Sequence, residues 1–104
     1  MAWDIYVKYK IYHRLANEIF FRINNGTYPL GSKLPAYSTL ATEAGCGPET
    51  VRKAIIELQM HGVVEKTRYG YFVTDNQEKV YEYRDNYLAS VEQKYLEAKQ
   101  KVEL

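Results

Sequence analysis

Gly45, Cys46 and Gly47 are the only residues between two stretches of helical periodicity, and so short a joint confines the chain to a tight helix-turn-helix corner. The second stretch is the sharper one. Pro48 suits the first turn of a helix, where its fixed φ is already helical and its missing N–H goes unused, and Gly62 suits a helix end. Between them Val51, Ala54, Ile55 and Leu58 follow helical spacing and predict one buried stripe. Glu49, Thr50, Arg52, Lys53 and Ile56 fall on the other faces, near the N-terminal end. Such a helix is either an ordinary amphipathic surface helix or one that enters a DNA groove.

Upstream, Tyr12, Leu15, Ala16, Ile19, Phe20 and Ile23 predict a first core helix, closed by Asn24, Asn25 and Gly26. His13 and Arg14 begin on its polar side, where a histidine is expected to be solvated. Residues 1–10 lack a clear period, although Trp3, Ile5, Tyr6 and Tyr9 suggest a segment lying against the body, with Lys8 and Lys10 solvated or near a phosphate. Residues 27–35 read as a turn-rich connector containing Pro29, Gly31 and Pro35, anchored by Tyr28, Leu30 and Leu34. A short second helix follows from Tyr37 to Ala44, with Leu40, Ala41 and Ala44 as its buried stripe and Gly45 as its stop. Cys46 is expected to pack in the corner as a small apolar residue.

After Gly62 the period becomes strand-like. The β-rich runs 63–67 and 71–74 flank a Gly-containing turn and read as a hairpin, with Lys66, Thr67, Arg68 and Tyr69 at its tip. Three helices followed by such a hairpin give a winged helix-turn-helix over residues 1–75, a mainly α fold with a small β-hairpin (α+β). Residues 76–104 read as a helical dimerisation arm, beginning with Asp75 and Glu78 in capping-box spacing. Tyr81, Leu88, Tyr95 and Val102 recur at heptad spacing, with Arg84, Val91 and Ala98 at the intervening positions, so a seam against a second copy is expected. Asp85 and Asn86 have weak helix propensity and could divide the arm.

A net charge of +1 gives no global basic signature, so any nucleic-acid binding must come from a local patch. One cysteine allows no internal disulfide, and no stretch has the makeup of a secretory signal or a membrane span. A soluble cytoplasmic protein is the expectation, with no membrane partner. Catalysis has little support: there is no paired nucleophile and base, no phosphate-binding glycine loop and no metal cluster, and no cofactor is expected. His61, just before Gly62, suits the negative end of a helix. A small-molecule effector stays open, with Tyr81, Tyr83, Tyr87 and Tyr95 as candidates for a pocket between arm and body.

In order and spacing, the chain resembles the DNA-binding domain of the GntR family of bacterial transcription regulators. The residues that carry the likeness are Ile11-Tyr12, Gly26, Gly31, Leu34-Pro35, Leu40-Ala41, Gly45, Thr50-Val51-Arg52, Ala54-Ile55, Leu58, Gly62, Gly70 and Phe72-Val73. The short helical tail and Pro48 beside Thr50 are similar to the small YtrA-type subfamily, whose members are typically dimeric repressors encoded beside transporter genes. The resemblance implies DNA contacts at Ser38 and Thr39, at Gly47, Pro48, Glu49, Thr50, Arg52 and Lys53, and at Lys66, Arg68, Tyr69 and Gly70 of the wing. Two frequent family arginines are replaced by Ser38 and Pro48, and Arg68 replaces the first glycine of the usual wing turn. Fewer cations imply a flatter salt dependence.

The expected function is therefore that of a homodimeric repressor of transcription, gripping double-stranded DNA at a near-palindromic operator. The dimer would join through Tyr81, Leu88, Val91, Tyr95, Ala98 and Val102. The alternative is a protein-interaction module on a winged-helix scaffold with weak or no DNA binding.

Overall fold

The computed structural model describes residues 7–103 and orders them as α1 (Val7–Asn24), α2 (Tyr37–Ala44), α3 (Pro48–Met60), β1 (Val64–Thr67), β2 (Gly70–Val73) and α4 (Gln77–Glu103). The core forms where α1 crosses α3. Ala16, Ile19, Phe20 and Ile23 meet Val51, Ala54, Ile55 and Leu58, all nearly devoid of solvent contact, so the α3 stripe read from sequence is buried and the α1 stripe is buried from Ala16 onward, with Tyr12 and Leu15 partly buried at its edge. Each such large side chain contributes roughly 1.5–3 kcal/mol relative to exposure. Leu34, Leu40, Val63, Val64 and Val73 close the core from the connector, α2 and the hairpin.

α1 starts at Val7 rather than at Tyr12. Once packing at Ala16 and Phe20 fixes the helix, adding residues at its free end costs little, because each new residue gains a hydrogen bond. The expected packing of Trp3, Ile5, Tyr6 and Tyr9 lies outside the described residues and side chains. His13 is not merely solvated: its Nδ1 lies 2.9 Å from Glu57 Oε1, joining α1 to α3.

α2 has the expected bounds, and Gly45 ends it at φ 68°, a left-handed conformation that a side chain resists. The Cys46 N–H donates to the Ala41 carbonyl at 3.0 Å, and Gly45 N–H to Thr42 at 3.3 Å, which closes the helix end as a Schellman turn. Cys46 itself is half-buried against the core. Ala44, expected in the buried stripe, is exposed. It borders a shallow groove between α1 and α2 that a methyl group is too short to fill.

The connector holds more structure than its turn residues suggest. Lys33 pairs antiparallel with Phe72, the Leu34 N–H donates to the Tyr71 carbonyl at 2.8 Å, and the Val73 N–H donates to the Ser32 carbonyl at 2.8 Å. The hairpin thus gains a short third rung, too brief between Gly31 and Pro35 to read as a strand. Leu34 and Tyr28 anchor this segment, but Leu30 does not, being 42% exposed. A turn closed by the Ser32 N–H on the Pro29 carbonyl, 3.1 Å, puts Leu30 on its outer corner.

β1 and β2 pair from Val64 with Val73 to Thr67 with Gly70. The Thr74 N–H then donates to the Val63 carbonyl at 2.8 Å, and the Asn76 N–H to Thr74 Oγ1 at 3.1 Å. This holds the chain extended past Asp75, so Asn76 and not Asp75 caps α4, its Oδ1 accepting the Glu78 N–H at 3.0 Å. α4 is one unbroken helix through Asp85 and Asn86. Its first turns dock on α1: Val80 and Tyr83 are buried, the Tyr83 ring lies 4.5 Å from Phe20, and its hydroxyl donates to Asn17 Oδ1 at 3.1 Å. Tyr87 meets Phe21 edge-on at 5.2 Å. Beyond Tyr87 every described residue of α4 is exposed.

Candidate nucleic-acid interface

α3 buries one stripe and therefore shows its first turn to solvent. Gly47, Pro48, Glu49, Arg52 and Lys53 are exposed and Thr50 is half-buried, as a groove-reading helix requires. Neither Gly47 before α3 nor Ala36 before α2 makes a side-chain capping bond, so the first N–H groups of both helices have no side-chain acceptor. Ser38 and Thr39 stand exposed on the opening turn of α2. The bare start of α3 at the corner and that of α2 each provide partial positive charge for anions.

Arg52 does not stand alone. Its Nε donates to Glu49 Oε2 at 3.0 Å and its Nη2 to Oε1, a forked pair within one turn. That hydrogen bond holds the Glu49 carboxyl below its ordinary range and the Arg52 guanidinium above its own. Lys53, Lys66 and Lys33 have no ion-pair partner among the described residues. The positive charge free to meet a phosphate is therefore carried more by these lysines than by Arg52.

The wing tip is built by Arg68, Tyr69 and Gly70. Gly70 alone takes positive φ, 119°, while Arg68 and Tyr69 do not. The strain of the turn thus falls on Gly70, which is why an arginine fits at position 68. Thr67 Oγ1 accepts the Tyr69 N–H at 3.0 Å and donates to the Gly70 carbonyl at 3.1 Å, stiffening the loop from inside. Arg68 lies over the Tyr69 ring at 5.3 Å, and Tyr69 is 67% exposed. Lys66 sits across the ladder from Tyr71, and Tyr71 stacks on Tyr37 of α2 with ring centres 5.8 Å apart. This stack joins the wing to the opening turn of α2, and the charge of Arg52 reaches both tyrosines. Arg52, Tyr37, Tyr71 and the wing thus form one continuous surface.

Neither Tyr37 nor Lys33 stood out as an interface residue in the sequence. The signal for Lys33 was its place just before Leu34-Pro35, but only the pairing of Lys33 with Phe72 brings it to the wing. The tyrosines proposed for an effector pocket divide: Tyr83 and Tyr87 border a cleft of about 680 Å³ with His13, Asn17, Glu57 and His61, whereas Tyr81 and Tyr95 lie outside it. His61 ends α3 and meets the Tyr83 ring edge-on at 5.2 Å. The described residues hold no group of three or more His, Cys, Asp or Glu that could bind a metal, and none of their helices is long and apolar enough to cross a membrane.

Residues 11–73 match the family described as bacterial regulatory proteins, gntR family. The Exu regulon transcriptional regulator of Escherichia coli (strain K12) is 37% identical over 78 residues, which cover 74% of this chain and 30% of that protein. The chain thus spans less than a third of that relative's length. The GntR family transcriptional regulator from Listeria monocytogenes shares the fold with a TM-score of 0.77, at 24% identity over 88% of this chain and 82% of that one. S. agalactiae BusR, solved in complex with its busA-promotor DNA, superposes with a TM-score of 0.70 at 27% identity, over 86% of this chain and 45% of that one.

Proposed function

Because this chain belongs to the bacterial gntR family of regulatory proteins, we propose that it is a sequence-specific DNA-binding repressor of transcription, acting in the cytoplasm as a homodimer on a near-palindromic operator. The observation that carries this reading is the exposed first turn of α3, set between a second uncapped helix start and a wing bearing Lys66 and Arg68. Lys53, Ser38, Thr39 and the helix-start N–H groups hold phosphates. Arg52 joins them when it releases Glu49. Glu49 and Thr50 read base edges, a carboxylate accepting from cytosine N4 and a threonine methyl meeting thymine. The wing grips the adjacent backbone through Lys66, Arg68, Tyr69 and the Gly70 turn. The DNA-bound state of BusR supports this use of the fold.

Tyr81, Leu88, Val91, Tyr95, Ala98 and Val102 are all exposed, with Val102 at 84%, and they share the heptad register of a coiled-coil seam. The body is gripped by Val80, Tyr83 and Tyr87 instead, which leaves the seam open for a second copy. This division of α4 supports residues 1–75 as the reading domain and 76–104 as the dimerisation arm. The exposed heptad seam of the arm also favours a YtrA-like regulator.

Mobility of random and genomic DNA fragments with the purified protein, across a salt series and alongside sedimentation, tests the proposal. A dimer with weak, salt-sensitive affinity for random DNA and tighter binding to selected fragments supports it. A protein without DNA affinity at low salt overturns it in favour of the interaction-module reading.

A further inference from the structure

Between the opening of α2 and the wing tip runs a groove of about 300 Å³, walled by Leu34, Pro35, Tyr37, Tyr69 and Tyr71, with Lys33 along it. The Lys33 side chain is drawn to the wing. A Cβ placed on Gly70 would lie 3.0 Å from Lys33 Cε and 3.7 Å from its Nζ, so the end of the Lys33 stem passes over the side-chain-free face of Gly70 with the ammonium group just beyond. Backbone pairing with Phe72 fixes where that side chain starts. No carboxylate among the described residues neutralises it. An exposed ammonium held against a turn without a counter-ion is a ready phosphate contact.

We propose that Lys33 and Tyr37 form a separate DNA-phosphate site in this groove, bridging the backbone stretch held by α3 and the stretch held by the wing. The site rests on the DNA-binding reading above and adds a cation outside the contact set read from the sequence. Its position fits the gaps in the expected set. Ser38, where the family resemblance implies an arginine, lies next to Tyr37 on the same turn, and Arg52 is engaged by Glu49. Lys33 restores a cation to that side of the corner from a different segment. Tyr37 contributes a hydroxyl at the groove wall, its ring held in place by the stack on Tyr71. Together they form a contact that fixes register and carries no base preference.

The test uses the full chain and measures affinity for one selected fragment and for random DNA across a salt series. Lys33→Gln keeps the first two methylenes of the stem and a polar end and removes the charge. It is expected to weaken both DNAs by the same factor and to lower the slope of log K against log salt by about 0.9, the value for one lost phosphate contact. Lys33→Arg is expected to retain the wild-type slope. Tyr37→Phe is expected to weaken both DNAs at unchanged slope. An unaltered slope in Lys33→Gln, with wild type binding DNA, overturns this site alone. Wild type without salt-dependent DNA affinity overturns the reading beneath it. A shared melting temperature for wild type and Lys33→Gln assigns a slope change to the charge and not to the fold.

Discussion

Arg52 and Glu49 hold each other across one turn of α3, Nε to Oε2 at 3.0 Å, on the face that is otherwise free to enter a groove. A phosphate and a carboxylate then compete for the same guanidinium fork. Removing the carboxylate with Glu49→Gln is expected to strengthen binding to random DNA, since Arg52 is freed and a like charge is lost. It is also expected to change preference at one base pair. Arg52→Ala is expected to weaken binding to every sequence and to flatten the salt slope by about 0.9. Anisotropy titrations of operator and random DNA measure both. If neither variant moves affinity, preference or slope, α3 does not lie on the duplex.

The same pair sets a pH dependence. The Arg52 hydrogen bond lowers the Glu49 carboxyl, so the pair is intact above the ordinary carboxylate range and is lost only as pH falls through the lowered value. DNA affinity of wild type and of Glu49→Gln, compared from about pH 8 down to about pH 5 in constant salt, is expected to keep a constant ratio. A ratio that collapses within this window removes Glu49 as the restraint on Arg52.

Tyr83 clamps the arm to the body, and its titration reports on the clamp. Burial, and then the charge of Glu57, push its hydroxyl from 10.0 up to about 12. A raised value means that the fold favours the neutral phenol. Its stabilisation is complete below the unfolded value, declines as pH rises from 10.0, and is gone above about 12. Urea melts of wild type are expected to show this alkaline decline and those of Tyr83→Phe to show less of it, with Tyr37 supplying the remainder. At neutral pH the same variant loses the bond to Asn17, about 0.5–1.5 kcal/mol.

Gly45 is where the corner is set. At φ 68° an added Cβ meets nothing within 4 Å, so Gly45→Ala carries backbone strain without a clash. The cost expected is about 1–2 kcal/mol, and Gly45→Asn is expected to cost less, because asparagine tolerates the left-handed region. Core truncation should exceed both: Leu58→Ala, fully buried, is expected to lose about 2–5 kcal/mol. Chemical melts rank the three, and an alanine at position 45 as stable as wild type would show that the corner relaxes another way.

Local rules made the helices legible, because a stripe of side chains, a proline start and a glycine stop each act within a few residues. Val51, Ala54, Ile55 and Leu58 are buried as their spacing requires. What stayed hidden depends on partners distant in sequence. Residues 32–34 become a sheet rung only when Tyr71 and Val73 supply the bonds, so Lys33 could not be seen beside the wing. His13 reaches Glu57 only because α1 crosses α3. The cap moved to Asn76 for the same reason, since the Thr74 backbone is first taken by Val63. The candidate contact residues were legible through position on α3 and the wing, but the engagement of Arg52 by Glu49 was not, because one sequence allows many rotamers.

The arm divides its faces in a way that makes the dimer testable without unfolding the body. Val80, Tyr83 and Tyr87 hold α4 to α1, whereas Leu88 and Val91, 55% and 44% exposed, touch nothing that the core needs. Placing charge at both, Leu88→Glu with Val91→Glu, puts like charges against each other across a two-fold seam while leaving the clamp intact. The variant is expected to sediment as a single subunit with the melting behaviour of its core retained. Operator affinity should fall far more than affinity for random DNA, because one subunit reads only half of a near-palindrome. A variant that remains dimeric places the seam elsewhere on the molecule. One that is monomeric yet binds the operator as wild type does would show that a single α3 and wing suffice for recognition.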